Sequence, residues 1–185
     1  MKFRSLRADE IEARVKVFDE KKGYVQLLLY KDARCDMNIL DEIVGSMNWK
    51  REHSRENANC IVSIWDNEKQ QWISKEDTGT ESNAEREKGL ASDSFKRACV
   101  NWGIGRELYT SPEIRIFLRK NPEIDKFTKY KVYHLKTENG KIKELGIKAI
   151  FNFGTEEKIV FRWKEKESET DEWDSFISRK WKLDI

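Results

Sequence analysis

The stretch ESNAEREKGLASDSFKRACVNWGIGRELY, from Glu81 to Tyr109, constrains the fold of this chain more than any other. Ser82 followed three residues later by Glu85 is a capping-box start, in which hydroxyl and carboxylate each satisfy an orphan backbone N–H. Ala84, Ala91, Phe95, Ala98 and Trp102 then recur at spacings of seven, four, three and four, which stacks them on one face of a helix with 3.6 residues per turn. Gly103 closes the pattern as a left-handed C-cap. On the same rotation Arg86 and Arg97 fall opposite the apolar stripe, with Lys96 on its flank. The small residues Gly89, Ala91 and Ala98 let a neighbour approach closely, as a helix lying on a sheet requires. By periodicity alone this is an amphipathic helix with a solvated basic face.

A chain of 185 residues is long enough for one domain with a real core. A hydrophobic content of 38% excludes wholesale disorder, and a charged content of 38% places much charge on the surface. The 36 basic and 34 acidic residues nearly cancel, so any nucleic-acid role must come from segregation of charge. Cys35, Cys60 and Cys99 stand far apart, as do His53 and His134, which is neither a zinc pattern nor a disulfide framework. The thiols read as ordinary buried ones. No apolar run is long enough for a signal peptide or a membrane span, so the expected location is cytoplasmic, without membrane partners.

In chain order, residues 1–19 predict a short amphipathic helix with Ile11, Val15 and Phe18 on one side, packing as a lid or an intersubunit arm. Gly23 then opens a strand, YVQLLLY, and Asp36 to Val44 returns to helical spacing through Met37, Leu40, Ile43 and Val44 before Gly45. From Trp49, WKREHSRE, CIVSIWD and QWISKED read as a three-stranded meander ahead of the long helix, a β-β-β-α unit. Ser111-Pro112 and Asn121-Pro122 make 110–127 a connector. Between Arg115 and Lys148 ten basic residues face four acidic ones. Within that segment, strands flank Glu138-Asn139-Gly140, a hairpin turn, and KIVFRWK adds another strand. Lysines alternating with apolar residues there have two readings, nucleic-acid contact or protection of an exposed sheet edge. From Glu165 the chain turns acidic and ends with Phe176, Ile177 and Trp181 on a short helix. That segment is a solvated tail, a docking element, or a competitor for the protein's own basic groove.

No H-E-x-x-H, G-x-S-x-G or Walker lysine loop is present, so the protease, hydrolase and NTPase signatures are missing and no cofactor is expected. Gly103-Ile104-Gly105 has Leu108 where a dinucleotide fingerprint needs its third glycine. Asp19-Glu20-Lys21-Lys22 is the nearest approach to a metal-dependent nuclease motif, and it lies in a turn.

KGLASDSFKRACVNWGIGRELY resembles the signature of phage single-strand annealing proteins of the Sak type, within the Rad fifty-two family. LDEIVGSMNW, Leu40 to Trp49, resembles the family's helix-to-strand passage, and Arg34 falls where the family places an arginine. The resemblance covers roughly 34–109 and implies an oligomeric protein, ring or helical filament, that anneals single-stranded DNA without ATP and without covalent catalysis. Its location would be the bacterial host cell of a phage or prophage, with a single-strand-binding protein or a phage exonuclease as further partners. It places Lys96 and Arg97 as inner-groove cations and Arg34 as a contributor. Charge and position add Arg86, Lys88 and Arg106, and Lys50, Arg51 and Arg55 on the first meander strand. Trp65, Trp72 and Tyr109 are expected in core or interface rather than as stacking platforms. Val100 stands where eukaryotic members carry a further arginine, and with Leu90 it suggests apolar surface covered by a neighbouring subunit.

The expected fold is therefore α+β, a twisted antiparallel sheet crossed by one long helix, with an additional C-terminal β-hairpin. The annealing domain spans 1–164, with a core at about 23–110 and a basic hairpin extension at about 127–164, and the acidic tail is 165–185. The alternatives are a single-stranded nucleic-acid binder that does not anneal, a metal-dependent nuclease, and a structural oligomer with no nucleic acid.

Overall fold

Two antiparallel sheets and two helices organise residues 1–80 and 86–166, which the computed structural model describes. In chain order these are β1 (Glu12–Asp19), β2 (Tyr24–Tyr30), α1 (Ala33–Val44), β3 (Trp49–Ser54), β4 (Asn59–Asp66), β5 (Gln71–Thr78), α2 (Arg86–Trp102), β6 (Ile114–Phe117), β7 (Lys129–Glu138), β8 (Lys141–Phe151) and β9 (Glu156–Lys164). The larger sheet runs β6-β2-β1-β7-β8-β9, and the meander β3-β4-β5 forms a sheet of its own. The α+β class, the meander, the long helix and the hairpin are all as the sequence implies. The hairpin β7–β8 does not stand apart, however. It lies inside the larger sheet, joined to β1 through Glu12↔Lys131 and Ala13↔Tyr130.

The long helix packs one face on the meander. Phe95 is fully buried and stacks on Trp49 with ring centroids 6.1 Å apart. Ala98 and Cys99 are buried beside it, and the Trp102 indole N–H donates to the Val62 carbonyl at 3.0 Å. Gly79 lets β5 run close to the helix, since a Cβ there would meet the Ser94 backbone nitrogen at 2.7 Å. Gly103, at φ +102°, ends the helix. The capping box at Ser82 and Glu85 falls outside the described residues, as does the terminal helix proposed around Phe176, Ile177 and Trp181. Asp32 caps α1 by accepting from the Arg34 N–H at 2.8 Å. This helix buries Cys35, Asp36, Ile39 and Leu40, a face rotated from the Met37/Leu40/Ile43/Val44 stripe.

Residues 1–19 are not helical beyond a 3-10 turn at Ala8–Glu10. Glu12–Asp19 is a strand paired along β2, from Glu12↔Tyr30 to Asp19↔Tyr24. The spacing of Ile11, Val15 and Phe18 fits a helix, but Ile11 and Ala13 are buried at period two, and β-branched Val15 and Val17 favour the extended state once β2 offers a ladder. The segment is also no free arm or lid. Arg4 binds Glu10 at 2.8 Å and Glu42 at 3.0 Å, and the Leu6 N–H donates to Glu107 Oε1 at 2.6 Å.

The 110–127 connector likewise contains a strand. Ile114 and Ile116 alternate inward on β6, which pairs with β2 from Tyr24↔Phe117 to Leu27↔Ile114. At the hairpin, Asn139 and Gly140 hold φ of 51° and 72°, the left-handed pair that a two-residue turn matched to sheet twist requires. Strand β8 is paired on both sides, but β7 meets β1 only through Glu12↔Lys131 and Ala13↔Tyr130, so among the described residues 132–138 keeps an open edge, on which Lys136 stands. The lysines of the paired stretches guard no edge. They pair across the sheet instead: Lys131 and Lys148 with Glu157, and Lys143 with Glu165. Glu144 on β8 in turn pairs with Lys164 of β9 at 3.6 Å. Glu157 and Glu165, from beyond the segment, thereby offset part of the local basic excess.

Among the described residues, no helix is long and apolar enough to cross a membrane. The three cysteines are buried and free, and burial pushes the Cys35 thiol up to about 12 and the Cys60 thiol up to about 11.

Candidate functional site

A cleft of about 260 Å³ opens between the C-terminal half of β2, the outer side of α2 and the 3-10 turn Arg106–Thr110. Its origin is a mismatch in strand length. Since β6 accompanies β2 only as far as Leu27, the edge of Leu28–Tyr30 has no strand on that side and becomes one wall of the cleft. Lys96, Arg97 and Val100 line the opposite wall from α2, and Leu108 and Tyr109 close the end. Val100 is thus covered in part by β2 and the 3-10 turn of its own chain, and Leu90 is 8% exposed within the same chain. Leu90 is thus covered within its own chain, and Val100 presents what remains of its apolar surface to the cleft.

The floor is Lys31, a residue that motif reading passes over. It follows β2, is 6% exposed, and its ammonium donates to Asp36 Oδ1 on α1. It also reaches toward the Lys96 carbonyl at 3.4 Å. Burial raises the Asp36 carboxyl to about 6, against the opposing pull of the Lys31 ammonium, and Asp36 Oδ2 has no hydrogen-bond partner. The stem of Lys31 lies over Gly105, whose φ is +70°. The second glycine of the WGIGR motif therefore serves both a left-handed turn and a close approach.

Of the residues singled out in the sequence, Lys96 and Arg97 line the cleft together. Lys96 makes no ion pair among the described residues, while Arg97 Nε sits 3.2 Å from Asp77 Oδ1 on β5. Arg34 lies close by. Its guanidinium binds Asp32 at 2.7 Å, and the Asp32 carboxyl is held below its ordinary range first by Arg34 and more weakly by the charge of Lys96. Among the described residues Asp93 is the one carboxylate on the lining, and its Oδ2 accepts the Thr80 N–H at 3.0 Å.

The other candidates lie elsewhere. Arg106 turns back to the end of α2, donating to the Val100 carbonyl at 2.9 Å and the Asn101 carbonyl at 3.1 Å, so it caps the helix C-terminus. Arg51 places its guanidinium 4.9 Å from the Phe95 ring centroid, on the helix-facing side of the meander. Lys50 is on the opposite face, 5.2 Å from the Trp72 ring centroid and 3.0 Å from Glu52. Arg55 occupies the β3–β4 turn at φ 52°. Arg86 and Lys88 belong to the first turns of α2, with side chains outside the described residues.

Of the aromatics expected in core or interface, Tyr109 is 71% exposed and Trp72 40%, so neither is in the core of this chain: Tyr109 stands in the 3-10 turn at the cleft rim and Trp72 on the meander face turned from α2. The signal for Lys31 was present but indirect: a lysine between an apolar strand and a helix cap, five residues before an aspartate that falls on the buried helix face. Chemically the cleft offers fixed cations and apolar walls. Among the described residues no three His, Cys, Asp or Glu side chains gather as metal ligands. None of the protein-family models, curated proteins or solved structures compared with this chain matches it.

Proposed function

We propose that this chain is an oligomeric single-stranded DNA-binding protein that speeds the pairing of complementary strands without ATP. The observation that carries the reading is the convergence of Lys31, Lys96 and Arg97 on one cleft, with Lys96 unpaired among the described residues. Such an arrangement suits the phosphates of a single strand, which need cations along a groove and no readout of sequence. The resemblance of KGLASDSFKRACVNWGIGRELY to annealing proteins supports the same reading, since Lys96 and Arg97 are the pair it places in the groove. Bound strands are held extended with their bases free to test partners, and duplex leaves when stacking outweighs the protein contacts. Copies associate by adding to open sheet edges, of which β3, β5, β6 and β9 are the outermost strands. A single-strand-binding protein or a phage exonuclease would supply the strands.

The test is pairing of two labelled complementary oligonucleotides by the wild type and by the Lys96→Ala/Arg97→Ala variant, without ATP, with size-exclusion profiles of both. Faster pairing by the wild type, lost in a normally assembled variant, supports the reading. Binding without faster pairing selects a plain single-strand binder, and magnesium-dependent loss of label selects a nuclease. No DNA binding by the wild type removes nucleic acid from the account.

A further inference from the structure

Tyr109 is the most exposed side chain lining the cleft that is also aromatic, and the fold fixes the backbone that presents it. Its 3-10 turn is held on three sides. The carboxylate of Glu107, itself buried, accepts the Leu6 N–H at 2.6 Å. The Thr110 hydroxyl accepts the Ile142 N–H from β8 at 2.9 Å while donating to the Glu107 carbonyl at 2.7 Å. Arg106 ties the start of the turn to the last carbonyls of α2.

The tyrosine itself is free of such ties. Among the described residues its ring has neither an aromatic nor a cationic partner, and its hydroxyl makes no hydrogen bond. Tyr30, across the cleft, differs, because the Arg14 guanidinium lies 5.5 Å from its ring centroid. An aromatic ring left bare in water on an anchored support, beside the cations Lys96 and Arg97, matches the two things one nucleotide of a single strand presents together: a flat π-face and a phosphate.

We infer that Tyr109 is a stacking platform for one unpaired base whose flanking phosphate lies on Lys96 and Arg97. The inference rests on the nucleic-acid reading above and adds a contact that is tolerant of base identity, since every base has a π-face. It gives the cleft a base-dependent part in addition to its charge. An acidic peptide would also satisfy the cations but would gain nothing from the ring.

The experiment measures affinity by fluorescence anisotropy for an oligothymidylate and for a strand of equal length made of abasic sugars, at several salt concentrations. The proteins are wild type, Tyr109→Phe, Tyr109→Ala and Lys96→Ala, each checked for thermal stability. The expected result is that wild type and Tyr109→Phe prefer the base-bearing strand, whereas Tyr109→Ala binds it about tenfold more weakly. Tyr109→Ala loses the preference and keeps the wild-type salt dependence, which Lys96→Ala lowers. Equal affinity of Tyr109→Ala and wild type for oligothymidylate overturns the inference. So does an equal loss on both strands, which assigns Tyr109 to positioning. Wild type that binds neither strand overturns the nucleic-acid reading first and this one with it.

Discussion

The stem of Lys31 crosses Gly105 so closely that a Cβ on Gly105 would lie 2.5 Å from Lys31 Cε and 2.7 Å from Cδ. This contact joins the end of β2 to the turn that follows α2, and so fixes the two sides of the cleft relative to each other.

Gly105→Ala therefore forces a left-handed backbone on a residue with a side chain and also displaces the Lys31 stem. Gly23 is the internal control, because its φ of +71° is nearly that of Gly105 at +70° while a Cβ there meets nothing within 4 Å. Gly23→Ala is expected to cost about 1 kcal/mol. Gly105→Ala costs about 1–3 kcal/mol beyond that, read as a drop in melting temperature several degrees larger than the control's. Equal losses in the two variants would show that the Lys31 contact contributes nothing.

The Lys31–Asp36 pair makes stability depend on pH in a defined direction. Burial raises the folded-state Asp36 carboxyl to about 6, above its unfolded value, with Lys31 and Lys96 opposing that rise and Asp32 adding to it. The native state therefore binds more protons than the unfolded state between about pH 4 and pH 6. The Asp36 contribution is fully present below that window and declines as pH rises through it, by roughly 2–3 kcal/mol. Asp36→Asn, compared with wild type by urea unfolding across pH 4–7, is expected to remove this decline. A wild-type contribution that grows across the window would reverse the assignment.

Lys96 and Arg106 separate a phosphate contact from a helix cap. Lys96→Ala is expected to reduce the slope of log affinity against log salt for single-stranded DNA by about 0.7, the value of one released counterion on a single strand. Arg106 donates to the carbonyls of Val100 and Asn101, so Arg106→Ala is expected to lower stability by about 1 kcal/mol and to leave that slope unchanged. Titrations at several salt concentrations, with thermal melts of both variants, distinguish the two roles.

Phe95 is the point at which α2 is fastened to the meander, fully buried and stacked on Trp49 of β3. Phe95→Ala is expected to cost about 3–5 kcal/mol. Phe95→Leu keeps most of the buried volume and should cost about half as much. Denaturant midpoints of the two variants give the comparison, and near-equality with wild type would mean the helix is held elsewhere.

Period and turn chemistry determined a large part of this protein. The helix ending at Gly103 follows from the recurrence of Phe95, Ala98 and Trp102, and the β7–β8 hairpin follows from Asn139-Gly140, the pair that takes positive φ in a tight turn. The meander was legible from its alternation and spacing. The placement of Lys96 with Arg97 at one site was implied by the resemblance of the motif and not by helix geometry, since adjacent residues on a helix point about 100° apart.

Sheet membership and charge partners were decided only by tertiary structure. Glu12–Asp19 fits a short amphipathic helix until β2 provides the ladder that makes it a strand, and Ile114–Phe117 becomes a strand for the same reason. The lysines of β7 and β8 read as a basic surface until β9 folds alongside with Glu157. The cleft itself needs Leu28–Lys31 brought against a stretch more than sixty residues on, Asp93–Val100 with the turn Gly105–Tyr109 that follows it. Local pattern records which face of an element is apolar, but not which other element will cover it. A buried lysine, its aspartate and the glycine beneath it become one feature only when the chain is closed.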